Sequence, residues 1–553
     1  MQQKLVALLE EICRLMELCG ESRFKIRAFE RAAESISQIT DLDELLRDGK
    51  ITEIPGIGAS IAEVLTEFYA SGNCVLKEQL IAKLPEGLLE FIKIPGVGPK
   101  KARFLIEELG IATIEELHQA CWENRVEKLK GFGRKSQEEI INGILYLNSL
   151  SGQIRLVEAI RLSEAILFRL NRELNAQRHP AATPLRVVET GELRRRIEVI
   201  RELTYLVELP PSQKERERLK EKISQVSEEL RQELNALVPI RLFFCETKDF
   251  GTWLVKSTGS AEHLRRLSAN EDNVESEEKF YRKLKLPYIP PEMRETGEEL
   301  DLGIKGLLSD VVSICDIKGG FHIHSIWSDG LSGIEELILA AKALGWNYLG
   351  IADHSQSAHY AGGLKFDRVL KQRAEVEMLQ GRYPEIKIFL GIESDILSDG
   401  SLDYTDEELA LFDFVVASVH SGTKVDKRTM TQRMVKAIRN PYTRFIAHPT
   451  GRLLLERKEY EVDVEELIRE SVKFDVAIEI NCNPARLDLD WRWGAKVREF
   501  DAKIGINPDA HSAIGLSVIN YGVTVARKAL IPKKNVINAW SLDEVERWLK
   551  RKT

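Results

Sequence analysis

From Asp316 onward, seven short apolar runs recur about every 25 to 40 residues between helical patterns, ending as FHIH, YLGIADH, IFLGIES, FVVASVH, RFIAH, VAIEIN and IGINPDAH. Short apolar strands alternating with helices imply a parallel sheet, since parallel neighbours need a long crossover. Six of the seven runs carry a His or Glu of the candidate donor set at or just beyond the C-terminal end. In α/β barrels that is the end where active sites are built. This texture predicts an α/β domain with its chemistry gathered at one rim.

The candidate residues are specific. His322 and His324 stand two apart on an expected strand, so strand alternation sends both side chains to one face. Asp329 follows in SIWSDG, His354, Glu393, His420 and His448 cap four successive strands, and Asp509 and His511 form a second spaced pair. Imidazole suits Zn, Mn or Fe, and a carboxylate bridges two ions. Nine donors exceed the needs of one four-coordinate zinc, which predicts two or three divalent metals. Clustered cations suit phosphate ester hydrolysis: they neutralise phosphoryl oxygens, acidify a bridging water and steady the leaving oxygen. His359 is left out of the set, and His118, His179 and His263 are read as surface or capping residues.

At 553 residues the chain exceeds one hydrophobic core. No apolar run of about 18 uncharged residues predicts a membrane span. Cys13, Cys19, Cys74, Cys121, Cys245, Cys315 and Cys482 are scattered and odd in number, which points to reduced thiols in a cytoplasm. The net charge is −8, and residues 1–150 hold 19 Lys and Arg against 24 Asp and Glu. Any nucleic-acid contact must therefore come from local backbone geometry rather than bulk charge.

Such geometry is present. Ile54–Ala62 reads IPGIGASIA, Ile94–Ala102 reads IPGVGPKKA, and residues 129–140 read LKGFGRKSQEEI, each leading into a helix. This is the helix-hairpin-helix pattern. Its glycines (Gly56, Gly58, Gly96, Gly98, Gly131, Gly133) allow a tight turn that presents backbone N–H groups to a phosphate. Lys100, Lys101, Arg134 and Lys135 add charge beside two copies, while the first copy lacks it and fits helix packing best. Three copies predict sequence-independent DNA binding.

Between these regions, expected strands at Leu185–Glu189, Thr204–Glu208 and Arg241–Cys245 flank a charged helix over Ser212–Leu237, read as a solvated face. LPYIPPEMRETGEELD at 286–301 reads as a domain exit.

HIHSIWSDG, ADHS, GIESDI, SVHS, AHPTGR and PDAH resemble the motifs of the PHP (polymerase and histidinol phosphatase) family over about 316–553. The resemblance implies a distorted (β/α)7 barrel with a trinuclear site on the nine residues above. Family members often have Asp where this chain has Gly320. Asp329, Glu393, Asp509 and Arg452 are expected to carry the catalytic step, with Arg452 and Arg486 as contacts for substrate phosphate or as structural ion pairs.

The order of hairpins, mixed domain and barrel resembles bacterial family X DNA polymerases over nearly the whole chain. GESRFKIRAFERAA at 20–33 resembles their N-terminal domain, and 250–263 and 279–295 resemble the end of their palm and their thumb. That family's palm carries G-S-x-R-R-G, an Asp pair in D-x-D and a third Asp. Here TGELRRRIEVIRELTYL keeps Gly191, Arg194 and Arg195, but Glu192 replaces the Ser, Glu202 and Thr204 stand at the Asp pair, and Arg241 falls at the third Asp. Two-metal nucleotidyl transfer needs those carboxylates, so Mg²⁺ is not expected in the palm.

The sequence thus predicts a multidomain chain. It comprises an all-α helix-hairpin-helix front end (1–80 and 81–150), a degenerate α+β palm (151–257), a thumb-like region (258–300), a linker (301–315) and the α/β PHP barrel (316–553). The expected function is a cytoplasmic, metal-dependent 3′–5′ exonuclease of DNA repair, acting on gapped DNA or 3′ ends. The alternatives are a bifunctional polymerase and exonuclease, a histidinol-phosphatase-like enzyme, and a non-catalytic DNA scaffold.

Overall fold

The computed structural model describes residues 2–37, 39, 42–150, 152–176, 179, 183–267 and 273–550. The chain forms two compact units, Met1–Ser151 and Gly152–Thr553.

The described residues of the first unit form helices and turns without strands. Apolar side chains at helical spacing build two cores: Leu5, Leu9, Ile12, Phe29 and Leu65 in one, Leu88, Phe91, Leu105, Leu117 and Ile140 in the other. The three hairpins share one geometry. Gly56, Gly96 and Gly131 take φ of +88°, +85° and +86°, which an L side chain resists. Gly58 and Gly98 are N-caps of Ala59–Ser71 and Pro99–Leu109, without side-chain capping bonds, and Gly133 precedes Arg134–Leu150.

In the second unit, β1 (Ile154–Arg155) pairs antiparallel with β3 (Val199–Ile200). A three-stranded sheet has the order β2 (Val187–Glu189), β4 (Leu203–Leu209), β5 (Ile240–Glu246), with β4 antiparallel to β2 and parallel to β5. The charged helix Gln213–Glu233 makes the crossover from β4 to β5 and buries one stripe, Leu219, Ile223, Val226 and Leu230. A separate core over 255–311 is built on Val255, Phe280, Tyr281 and Leu300.

His263 departs from its expected surface role. It is fully buried in that core, with Nδ1 2.6 Å from Glu299 Oε1 and Nε2 2.9 Å from the Tyr281 hydroxyl. A buried imidazole needs partners on both nitrogens, and residues distant in sequence supply them.

Seven parallel strands follow in sequential order: β6 (Gly319–Ile323), β7 (Tyr348–His354), β8 (Lys387–Asp395), β9 (Phe414–Ser418), β10 (Thr443–Ile446), β11 (Ala477–Asn481) and β12 (Ile504–Asn507). A bridge from Ile323 to Ala510 brings the first and last strands together, giving a nearly closed barrel. Phe321, Phe389, Phe414 and Phe445 fill its interior, and a Cβ on Gly391 would lie 2.5 Å from the Phe414 ring. Gly320 has a similar cause, since a Cβ there would stand 2.7 Å from Trp346. No helix among the described residues is long and apolar enough to cross a membrane.

Candidate metal centre

The C-terminal ends of the barrel strands bring all nine expected donors together. Glu393, fully buried on β8, is the hub. Its Oε1 lies 3.2 Å from His322 Nε2, 3.2 Å from His420 Nε2 and 3.3 Å from His448 Nε2. Its Oε2 lies 2.8 Å from His354 Nδ1 and 3.7 Å from His324 Nε2. Asp509 Oδ1 stands 3.3 Å from His324 Nε2, and Asp329 lies 3.4 Å from His354 and 3.5 Å from His511. Three donor groups emerge: His324, Asp329, His354 and His511; His322, His324 and Asp509; His354, Glu393 and His420.

Strand alternation from the inward-facing Phe321 would aim both His322 and His324 away from the barrel interior. Phe321 packs with the interior rings and Ile323 with the helix-facing core, so Phe321 and His322 both turn inward. The register shifts between Gly320 and Ile323, and His322 takes φ +56°. A bulge has re-aimed the side chain. His448 and Asp509 also occupy the left-handed region, at +28° and +49°; such backbone strain collects at functional sites.

The donor set fits cations. His322 Nε2, both nitrogens of His324, His354 Nδ1, His448 Nδ1 and Glu393 Oε2 are buried and make no hydrogen bond. Each such orphan costs about 1–3 kcal/mol unless something binds it. Burial opposes ionisation of Glu393, yet His354, His420 and His322 together hold it well below the carboxylate range. Burial likewise disfavours protonated His354, but Glu393 and Asp329 push it up to about 11. His420 is raised to about 9 against its burial, by Glu393 and Asp395.

An outer layer of carboxylates, absent from the sequence expectations, orients the rings. Glu479, fully buried on β11, accepts from His322 Nδ1 at 2.7 Å and from Asn481 and Asn507 at 2.8 and 3.0 Å. Asp395 accepts from His420 Nδ1, and Asp353 holds the Asp329 loop through Ser325 and Ser328. Glu479 had left a signal: VAIEIN is an apolar run interrupted by one acid.

Arg452 is corrected. Its guanidinium pairs with Asp490 and donates to the carbonyls of Arg486 and Leu487, so it is a buried brace rather than a substrate contact. Arg486 is different. Its Nη1 is buried without a hydrogen bond, and its Nε lies 4.0 Å from Asp509 Oδ2.

In the palm, Thr204 on β4 is registered against Arg241 on β5. Glu202 Oε2 lies 2.8 Å from Arg241 Nη2. Gly191, at φ +58°, closes on Thr204, where a Cβ would stand 2.4 Å from Oγ1. Glu192 accepts from the Arg201 amide, Arg194 forks onto Glu277, and Arg195 pairs with Glu295 at 2.7 Å. Among the described residues, none of the metal-competent donor groups falls in the palm.

On the first unit, the six hairpin glycines and Lys100, Lys101, Arg134 and Lys135 are exposed. Lys101 Nζ donates to the Gly96 carbonyl at 3.1 Å, and Arg134 pairs with Glu138 at 3.0 Å.

Barrel and donor cluster together define a metal-binding phosphoesterase domain of the PHP class, and the PHP domain family matches residues 320–482. A helix-hairpin-helix domain family matches residues 1–74, and a SAM-like helix-hairpin-helix tandem matches 88–144. The "DNA polymerase/3'-5' exonuclease PolX" of Bacillus subtilis (strain 168) is 34% identical over 584 aligned positions, covering 100% of this chain and 99% of that protein. The chain belongs to this PolX family of family X DNA polymerases. A "probable phosphatase" of Caldicellulosiruptor bescii is 31% identical over 168 residues, 29% of this chain and 63% of that protein. One from Caldanaerobacter subterraneus subsp. tengcongensis is 25% identical over 251 residues, 42% of this chain and 90% of that protein.

Proposed function

We propose that this chain is a DNA-end-processing phosphodiesterase, a 3′–5′ exonuclease of DNA repair, whose family X core no longer transfers nucleotides. The observation that carries the reading is the convergence of four His nitrogens within 3.3 Å of Glu393, in a chain that also bears three helix-hairpin-helix turns. Two or three divalent cations (Mn, Zn or Fe) held by the nine donors would neutralise phosphoryl charge and acidify a coordinated water. Arg486 offers its buried Nη1–H to a non-bridging phosphate oxygen. Tyr360, 57% exposed with its ring centroid 6.1 Å from that of His354, offers an aromatic face to the terminal base. The hairpins hold the DNA by its backbone, at gaps or 3′ ends, without reading sequence.

Five segments follow in this reading: hairpin domains at 1–80 and 81–150, palm at 151–257, thumb at 258–300 and barrel at 316–553. Ser151 and residues 268–272 lie outside the described residues. The test is degradation of 5′-labelled single-stranded and gapped DNA with Mn²⁺, by the natural chain and His324→Ala, with metal analysis of both. Undiminished cleavage by His324→Ala would end the proposal. Relatives named phosphatases match the barrel and favour a second reading, a small-molecule phosphatase. Faster turnover of a phosphomonoester than of a DNA 3′ end would establish it.

A further inference from the structure

The segment from Asn483 to Asp490 carries Arg486 to the metal centre without belonging to a helix or strand. Backbone bonds tie parts of it down, among them Leu454 N–H to the Ala485 carbonyl at 2.7 Å and Asn481 N–H to the Asp488 carbonyl at 2.6 Å, and side chains brace the rest. Arg452 Nε donates to the Arg486 carbonyl at 2.8 Å, and its Nη atoms reach the Leu487 carbonyl and the Asp490 carboxylate. Asp490 in turn lies 2.8 Å from Arg492 Nη1. Arg492 Nη1 lies 2.5 Å from Glu198 Oε1, and Trp491 Nε1 donates to Glu198 Oε2 at 3.1 Å.

Glu198 belongs to the palm, one residue before β3, and is only 7% exposed. An unbroken chain of charge-assisted contacts therefore runs from the palm to the backbone of Arg486. Charged hydrogen bonds are the strong ones, and the carboxylates of Glu198 and Asp490 that flank Arg492 are buried, while the Arg492 side chain between them is 55% exposed.

We infer that Glu198 is a positioning residue for the hydrolytic site, setting the phosphate-binding Arg486 through Arg492, Asp490 and Arg452. The inference rests on the phosphoesterase reading above and extends it: the palm, whatever its own chemistry, forms part of the barrel's substrate clamp. Another ion pair joins the barrel to the thumb-like region without touching this segment. Arg527 Nε lies 2.7 Å from Glu292 Oε1, and Glu292→Gln is therefore the structural control.

The experiment uses the full chain loaded with Mn²⁺ and bis(p-nitrophenyl) phosphate, an ester too small to span the hairpin modules. Calorimetric binding of inorganic phosphate gives a readout independent of turnover. Glu198→Gln is expected to keep its metal content, to raise KM and the phosphate Kd about ten-fold, and to change kcat less. Glu198→Asp should recover part of the loss. Combining Glu198→Gln with Arg486→Lys should cost no more than Arg486→Lys alone, because both act on one contact. Wild-type KM and phosphate affinity in Glu198→Gln, or a change equal to that of Glu292→Gln, would overturn the inference. So would full additivity of the double variant. Loss of metal and turnover in His324→Ala shows that the underlying reading holds; its absence would mean that reading has failed, not the relay alone.

Discussion

Glu202 Oε2 lies 2.8 Å from Arg241 Nη2, joining the residue just before β4 to the second residue of β5. In the reading proposed above, these positions take the place of carboxylates that would hold Mg²⁺ in a family X palm, and a cation there would meet a guanidinium instead of a third acid. The expected outcome is no primer extension with Mg²⁺ or Mn²⁺, and exonuclease activity within about two-fold of wild type in Glu202→Gln, since Glu202 lies outside the barrel's donor set. Nucleotide incorporation that disappears in Glu202→Gln would refute loss of the polymerase.

Glu479 fixes His322 through Nδ1 and leaves Nε2 facing Glu393. Replacing it by Gln should weaken metal binding about 10–100-fold, as for other partners of metal-bound histidines. Competition with a chelator of known affinity measures this. Unchanged affinity would assign Glu479 to packing alone.

Metal uptake should release protons. His354 and His420, raised to about 11 and about 9, carry protons at neutral pH that a cation must displace. Apparent affinity therefore rises from pH 6 to 9 and falls with acid. Calorimetry in buffers of different ionisation enthalpy counts the protons; a count of zero at pH 7.5 would contradict the assignment.

Arg452 and Arg486 should separate in their effects on folding stability. Arg452→Ala breaks a buried pair, with an expected loss of about 3 kcal/mol in folding stability measured by denaturant titration. Arg486→Lys should leave the unfolding midpoint near wild type and lower kcat/KM for DNA about 10–100-fold.

Lys100, Lys101, Arg134 and Lys135 replaced by Ala should weaken DNA binding uniformly across sequences. Each lost phosphate contact should lower the salt slope by about one, and turnover of a small diester should not change. A sequence-dependent loss would argue against backbone recognition.

Eight of the nine donors were legible because they sit at or just beyond the ends of apolar runs, and Asp329 because it follows in the loop after the first His pair. The palm motif had placed Glu202 and Arg241 only at two of the family's carboxylate positions, and their pairing was not expected. What stayed hidden depends on distant partners. Glu479 meets His322 across 157 positions of chain, and His263 finds Glu299 and Tyr281 at 36 and 18. Arg452 misled because a motif position says nothing about Asp490, with which its charge is paired. The inward turn of His322 required a bulge that strand alternation does not encode.

The phenylalanine rings beneath Glu393 make the barrel a cup rather than a pipe. In the exonuclease reading proposed above, a strand end would have one opening through which to reach the cup's floor, and whatever is cut from it would back out the same way. Successive rounds of digestion would then be paced by how fast the rim clears, and the length of chain that threads inside stays short.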